Sequence, residues 1–190
     1  MKERIEAFLA DLDRTLAARA AEARLDLYHI GRSALVWEYD YIATTRDFDF
    51  LRPQGGAEWV ELALQLFGKN SPKAKEHGLY LEVVEEGFPP MPLGYKKRAT
   101  QVDGPWKILR IYRLDPHDLV ASKLRRFSPK DRADIRLLCD LVALDPERLE
   151  QVLEEAYPFN LEKDGDEFRD SAFRSLRAVQ HYLRHEINEI

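Results

Sequence analysis

Asp47-Phe48-Asp49-Phe50-Leu51, separated by thirteen residues from Gly31-Arg32-Ser33, is the stretch on which the reading of this chain turns. Successive side chains of an extended strand point to opposite faces. Phe48 and Phe50 therefore share one face, and Asp47 and Asp49 share the other. Acids are poor strand formers, and two carboxylates side by side repel each other unless a cation lies between them. A hard divalent ion with oxygen ligands fits that demand. Upstream, Gly-x-Ser offers a tight turn, backbone N–H groups and a hydroxyl, which is equipment for holding a phosphate. The structural alternatives are a solvated strand face for the acids and an N-cap serine in a strand-to-helix turn.

Around this stretch the chain alternates between short strands and helices. Residues 1 to about 24 read as a helix with Ile5, Phe8, Leu9, Leu12 and Leu16 on one stripe. Leu25–Ile30 reads as a strand, with Leu25, Leu27 and Ile30 as its apolar positions, and Ser33–Tyr39 as one or two helical turns. Thr44–Leu51 is the acidic strand, closed by the loop signal Arg52-Pro53-Gln54-Gly55-Gly56. Ala57–Phe67 is helical, Leu79–Val84 is a strand, residues 85–105 form a long loop with a short extended piece, and Lys107–Tyr112 is a further strand.

From residue 115 the pattern becomes helical. Asp115-Pro116, Ser128-Pro129 and Asp145-Pro146 each pair an N-cap residue with an N1 proline. A last helix spans Asp166 to about Glu189. Strands first and helices afterwards give an α+β fold, with residues 1–113 as the α+β core and 114–190 as a helical C-terminal part packed on it.

Composition narrows the function classes. The 190-residue chain is 45% hydrophobic, enough for a sizeable core. Its net charge of −5 argues against a surface built to coat nucleic acid, although Lys96-Lys97-Arg98 and Lys123–Arg126 are local basic patches. A single cysteine, Cys139, excludes an internal disulfide and suits a reducing compartment. No apolar run approaches membrane-spanning length, and the N-terminus opens an amphipathic helix rather than a signal-peptide core. The expectation is a cytoplasmic protein with no membrane partner.

The order Gly31-Arg32-Ser33, then Asp47-Phe48-Asp49-Phe50, resembles the signature of nucleotidyltransferases with a DNA polymerase β-like fold. Ser33-Ala34-Leu35, Thr45-Arg46, Asp118–Leu124 and Lys130–Ile135 make the chain similar to the bacterial branch that includes the AbiEii-type toxins and related nucleotidyltransferase-like proteins. The likeness covers roughly residues 25 to 140. It implies a small mixed β-sheet flanked by helices. It also implies Mg²⁺ (or Mn²⁺) held by Asp47, Asp49 and a third carboxylate on the next strand, where Glu82 is best placed. The reaction implied is transfer of a nucleoside monophosphate from an NTP to a hydroxyl of an RNA (such as tRNA) or protein acceptor. Gly31, Arg32, Ser33, Lys123 and Asp134 would bind nucleotide or phosphate. A cognate toxin or antitoxin protein is the further partner implied. Two departures stand out: Arg32 replaces a usual second glycine, and Glu82 stands where aspartate is commoner.

Rival readings stay open at this level. One is a nucleotidyltransferase-like protein without catalysis that serves as a binding or regulatory partner. Another is a metal-dependent nuclease, since paired acids and a lysine also suit phosphodiester cleavage. Lys123 lies beside the stripe of Val120, Leu124 and Phe127, so its ammonium must snorkel, meet a phosphate or pair with an acid such as Asp134.

Overall fold

The computed structural model describes residues 1–190 apart from 20–22, 40, 42, 54, 86–88 and 158–162, with backbone alone for 163–166. The helical expectation for residues 20–22 lies outside the described residues. The chain forms two compact units, Met1–Glu85 with Ala99–Leu114, and Glu86–Arg98 with Asp115–Ile190.

The first unit runs α1 (Lys2–Ala17), β1 (Leu25–Ile30), α2 (Gly31–Glu38), β2 (Asp47–Leu51), α3 (Ala57–Phe67), α4 (Pro72–His77), β3 (Tyr80–Val84), β4 (Thr100–Gln101) and β5 (Leu109–Arg113). The strands make one five-stranded sheet in the order β3-β2-β1-β5-β4. The β1–β2 and β4–β5 pairs are antiparallel, whereas β2–β3 and β1–β5 are parallel. The fold is therefore α+β with a mixed sheet, as expected.

Alternation along β2 decides which face is core. Phe48 and Phe50 are fully buried, and Asp47 and Asp49 lie half-buried on the opposite face. Burying each phenylalanine contributes about 1.5–3 kcal/mol, which fixes the register against a one-residue slip. The α1 stripe of Ile5, Phe8, Leu9, Leu12 and Leu16 joins the same core. Asp13 on α1 is also buried, and its carboxylate accepts from the backbone N–H groups of Lys107, Ile108 and Leu109 at 2.8–3.0 Å. A buried carboxylate with that many donors is satisfied, and it fastens α1 to the start of β5.

In the second unit, α5 (Tyr95–Arg98) is followed by α6 (Pro116–Leu124), α7 (Pro129–Leu141), α8 (Pro146–Ala156) and α9 (Lys163–Leu183). The N-caps act as read: Asp115, Ser128 and Asp145 accept first-turn N–H groups, and Ser128 forms a reciprocal capping box with Asp131. Burial works to raise the Asp131 carboxyl, but Arg126 and Ser128 outweigh it and hold it at about 2.

Several boundaries differ from expectation. α1 stops at Ala17, β2 starts at Asp47 rather than Thr44, and α9 runs Lys163–Leu183. The long loop expected over 85–105 contains the turn α5 and the short strand β4. α4 went unread although Ser71-Pro72 repeats the cap-proline signature; the Ser71 hydroxyl accepts from the Ala74 N–H. α6 is not one-sided: every residue from His117 to Leu124 is buried. A helix buried all round has no polar stripe, so the pattern around Lys123 could not be read as amphipathic.

Candidate metal and phosphate site

The sheet register assembles three acids from two strands. Asp49 pairs with Glu82 across the parallel β2–β3 ladder, and Asp47 lies two residues before Asp49 on the same face. Ligand oxygens of Asp47, Asp49 and Glu82 fall within 4.8 Å of one another. Glu82 is exposed and the aspartates are half-buried, so the group opens to solvent. The Thr45 hydroxyl donates to Asp47 Oδ1 at 2.5 Å, steadying that carboxylate. Tyr80, paired with Asp47 in the same ladder, reports the local field. Burial, then Glu82, Asp47 and Asp49, push its hydroxyl above the ordinary value.

The glycine turn sits against these acids. Across the antiparallel ladder Asp49 pairs with Ile30, so Gly31 follows directly beside it. Gly31 has φ +80°, and a Cβ there would fall 2.1 Å from Asp49 Oδ2. Both the left-handed backbone and the missing side chain are needed. Gly31 also opens α2, whose N-cap, Ile30, supplies no side-chain hydrogen bond. The first-turn N–H groups are thus not taken by an N-cap side chain, and a helix N-terminus favours an anion. Arg32 is half-buried in the same turn.

Ser33 is fully buried. Its Oγ lies 2.9 Å from His29 Nε2, and His29 Nδ1 lies 2.9 Å from Glu38 Oε1. The Asp49 N–H donates to the same Oγ at 3.4 Å. The His29 ring stacks on Phe48 with centroids 4.0 Å apart and planes 12° from parallel. Burial pushes the Glu38 carboxyl up, opposed by His29 and Arg113. His29 and Glu38 were not among the residues singled out from the sequence. The one local signal is that Leu25, Leu27 and His29 follow a period-two core pattern, with Ile30 buried as expected at the strand's end; the partners of His29 carry no local signal.

Lys123 and Asp134 belong to the second unit. Lys123 Nζ lies 3.0 Å from Asp134 Oδ2, with side chains 6% and 1% exposed. Lys123 therefore pairs with an acid and does not snorkel. Arg98, from the basic patch Lys96-Lys97-Arg98, is bound to Asp118 and Glu155. Burial pushes the Cys139 thiol up to about 12.

Asp11, Glu76 and His77 also bring ligand atoms within 4.8 Å of one another. That cluster already holds cations: Lys73 Nζ lies 2.8 Å from Asp11 Oδ2 and Arg14 lies 2.6 Å from Asp11 Oδ1.

Three carboxylates on adjacent strands of a mixed sheet thus lie beside a glycine turn that opens a helix. Residues 7–182 match the model of the family described as "Nucleotidyltransferase of unknown function (DUF6036)", and the chain belongs to that family. No curated protein and no solved structure matches the chain. No helix among the described residues is long and apolar enough to cross a membrane.

Proposed function

We propose that the protein transfers a nucleoside monophosphate from an NTP to an acceptor hydroxyl, with a divalent cation, Mg²⁺ or Mn²⁺, held by Asp47, Asp49 and Glu82. The observation that carries this reading is the register of Asp49 with Glu82, next to a turn that only glycine can make. The donor set is all carboxylate oxygen, which is what a hard cation takes. When bound there, such an ion would offset phosphate charge and ease deprotonation of a hydroxyl.

The chain's own residues do the rest. N–H groups of the Gly31–Ser33 turn orient the triphosphate, and Arg32 adds a cation at its edge. Glu82, the exposed member of the set, accepts the proton of the acceptor hydroxyl. That oxygen bonds to the α-phosphorus, the bond to the bridging oxygen breaks, and pyrophosphate leaves. The Gly31 turn favours transfer from a triphosphate over nuclease cleavage. The acceptor belongs to RNA or protein, and the likeness to AbiEii-type toxins makes a toxin–antitoxin setting the natural place to look for it. For Lys123, the buried pair with Asp134 favours a structural role over a phosphate contact.

Thermal stabilisation by each of the four NTPs, with Mg²⁺, with Mn²⁺ and in EDTA, tests the site. Metal-dependent stabilisation by at least one NTP is expected. Equal stabilisation in EDTA would sink the reading. Label incorporation from α-³²P-NTPs into RNA and protein then separates transfer from binding alone: binding without incorporation supports the non-catalytic partner.

A further inference from the structure

A glutamate, a histidine and a serine in hydrogen-bonded series invite comparison with a hydrolase, but the Ser33 side chain is fully buried. Its oxygen faces the main chain of β2, so it cannot reach a substrate as a nucleophile. What the series does is join three elements. It starts at the last residue of α2, passes through β1, and ends on the amide of Asp49 in β2.

Proton accounting leaves two arrangements. With Glu38 ionised, His29 Nδ1–H donates to Glu38 and the Nε2 lone pair accepts. The nearer acceptor for the Ser33 proton is then His29 at 2.9 Å, since the Ile30 carbonyl lies at 3.5 Å. The Ser33 oxygen in turn accepts from the Asp49 N–H. The opposite tautomer needs a protonated Glu38, and burial moves that carboxyl toward protonation. In either form Ser33 is engaged inside the protein. Arg113 is the other charge acting on Glu38, and Phe48 and Trp37 flank the His29 ring. The arrangement is costly, because Glu38 Oε2 is buried with no hydrogen-bond partner among the described residues. An apolar pair would suit the core better.

We propose that His29 and Glu38 are positioning residues: through Ser33 they hold the Gly31–Ser33 turn against Asp49, and the phosphates of an NTP are gripped by the turn's backbone N–H groups rather than by the serine hydroxyl. This rests on the reading of Asp49 as a metal ligand.

The test compares wild type, Ser33→Ala, the apolar double variant His29→Phe with Glu38→Leu, the triple variant, and Glu38→Gln, which keeps an acceptor for His29. Three properties are read: the urea midpoint, the Asp49 amide by NMR shift and hydrogen exchange without ligand, and affinity for Mn²⁺ with ATP, CTP, GTP or UTP. The double variant should be as stable as wild type or more so, yet lose protection at the Asp49 amide. Its affinity should fall roughly 10- to 100-fold, as when partners behind metal ligands are removed. The triple variant should be no worse than the double, because Ser33 acts only through the chain. Glu38→Gln should keep both protection and affinity. Additive losses, or an unchanged Asp49 amide in the double variant, would overturn the proposal. If wild type binds no Mn²⁺–NTP, the nucleotide reading fails by itself, and the Asp49 amide still decides the positioning role.

Discussion

Two acid clusters in one unit are nearly matched by distance and opposite in character. At Asp11, burial works to raise the carboxyl, yet His77, Lys73 and Arg14 outweigh it and hold it at about 2. At Asp47, Asp49 and Glu82 the neighbouring Tyr80 hydroxyl is pushed up by burial and by those three acids. The first cluster is an acid surrounded by cations, which ties α1 to α4. The second is a set of three acids on the adjacent strands β2 and β3 beside a glycine turn, whose combined effect on Tyr80 exceeds that of Arg46. Ligand spacing alone does not separate the two; the balance of charge felt by the neighbouring group does.

The largest expected effect follows directly. Asp47→Ala with Asp49→Ala should abolish metal-dependent NTP binding while leaving the metal-free protein as stable as wild type or slightly more so, because repulsion is relieved. Asp11→Asn should do the reverse, keeping NTP binding and costing about 1–3 kcal/mol of stability. Calorimetric titration and urea unfolding of both variants decide the matter. Loss of NTP binding in Asp11→Asn alone would reverse the assignment.

The same rule, that an acid already beside a lysine is structure, extends to the second unit. Lys123→Met leaves the Asp134 charge buried without its ammonium, which should cost about 3–5 kcal/mol. Asp134→Asn should cost a similar amount, and the two together much less than their sum. Normal NTP affinity in Lys123→Met, where the variant folds, is the companion result. A large affinity loss with unchanged urea midpoint would return Lys123 to the phosphate site.

Gly31→Ala sharpens the other side of the comparison. The methyl group would meet Asp49 Oδ2 at 2.1 Å, and φ +80° is strained for any side chain. A cost of about 1–3 kcal/mol is expected, with a disproportionate loss of metal-dependent NTP binding because it is Asp49 that must move. Gly56 has φ +63°, and a Cβ there would meet the Trp59 ring at 3.2 Å, a side chain that can give. Gly56→Ala should therefore lose stability without touching nucleotide affinity.

What the sequence made legible follows from local rules. Alternation in Asp47-Phe48-Asp49-Phe50 gave both the buried face and the acid pair, because a strand's period is fixed by its backbone. The N-caps at Asp115, Ser128 and Asp145 were readable because a cap and its proline lie next to each other in the chain. The pairing of Asp49 with Glu82 is set by a parallel ladder between strands some thirty residues apart, and only the family likeness pointed to it. The series from Glu38 to Asp49 was invisible for the same reason. It needs a strand, a helix and a second strand brought together, and its histidine occupies a position that reads as core. Lys123 shows the converse: its helix is buried on every side, so no stripe could tell where its ammonium went.

The smallest effect concerns acid. Asp11 and Asp131 both sit at about 2 in the folded protein, below the ordinary 3.8. A depressed carboxyl binds fewer protons folded than unfolded. Its stabilisation is fully present above the ordinary value and is lost as pH falls from about 4 through 2. Glu38 has the opposite sign: its raised carboxyl favours the fold below the ordinary value of 4.5, and that contribution fades as pH rises through its folded value. Urea midpoints measured from pH 2 to 7 should therefore show a steep acid limb that Asp11→Asn and Arg126→Met each flatten, since Arg126 is one of the partners that hold Asp131 down. Glu38→Gln should leave that limb in place and raise the neutral side instead. Asp47→Ala with Asp49→Ala should also keep the acid limb, because the steep slope belongs to acids that cations hold down. An acid limb that vanishes in the Asp47 and Asp49 variant, and survives in Asp11→Asn, would mean that the two clusters had been assigned the wrong way round.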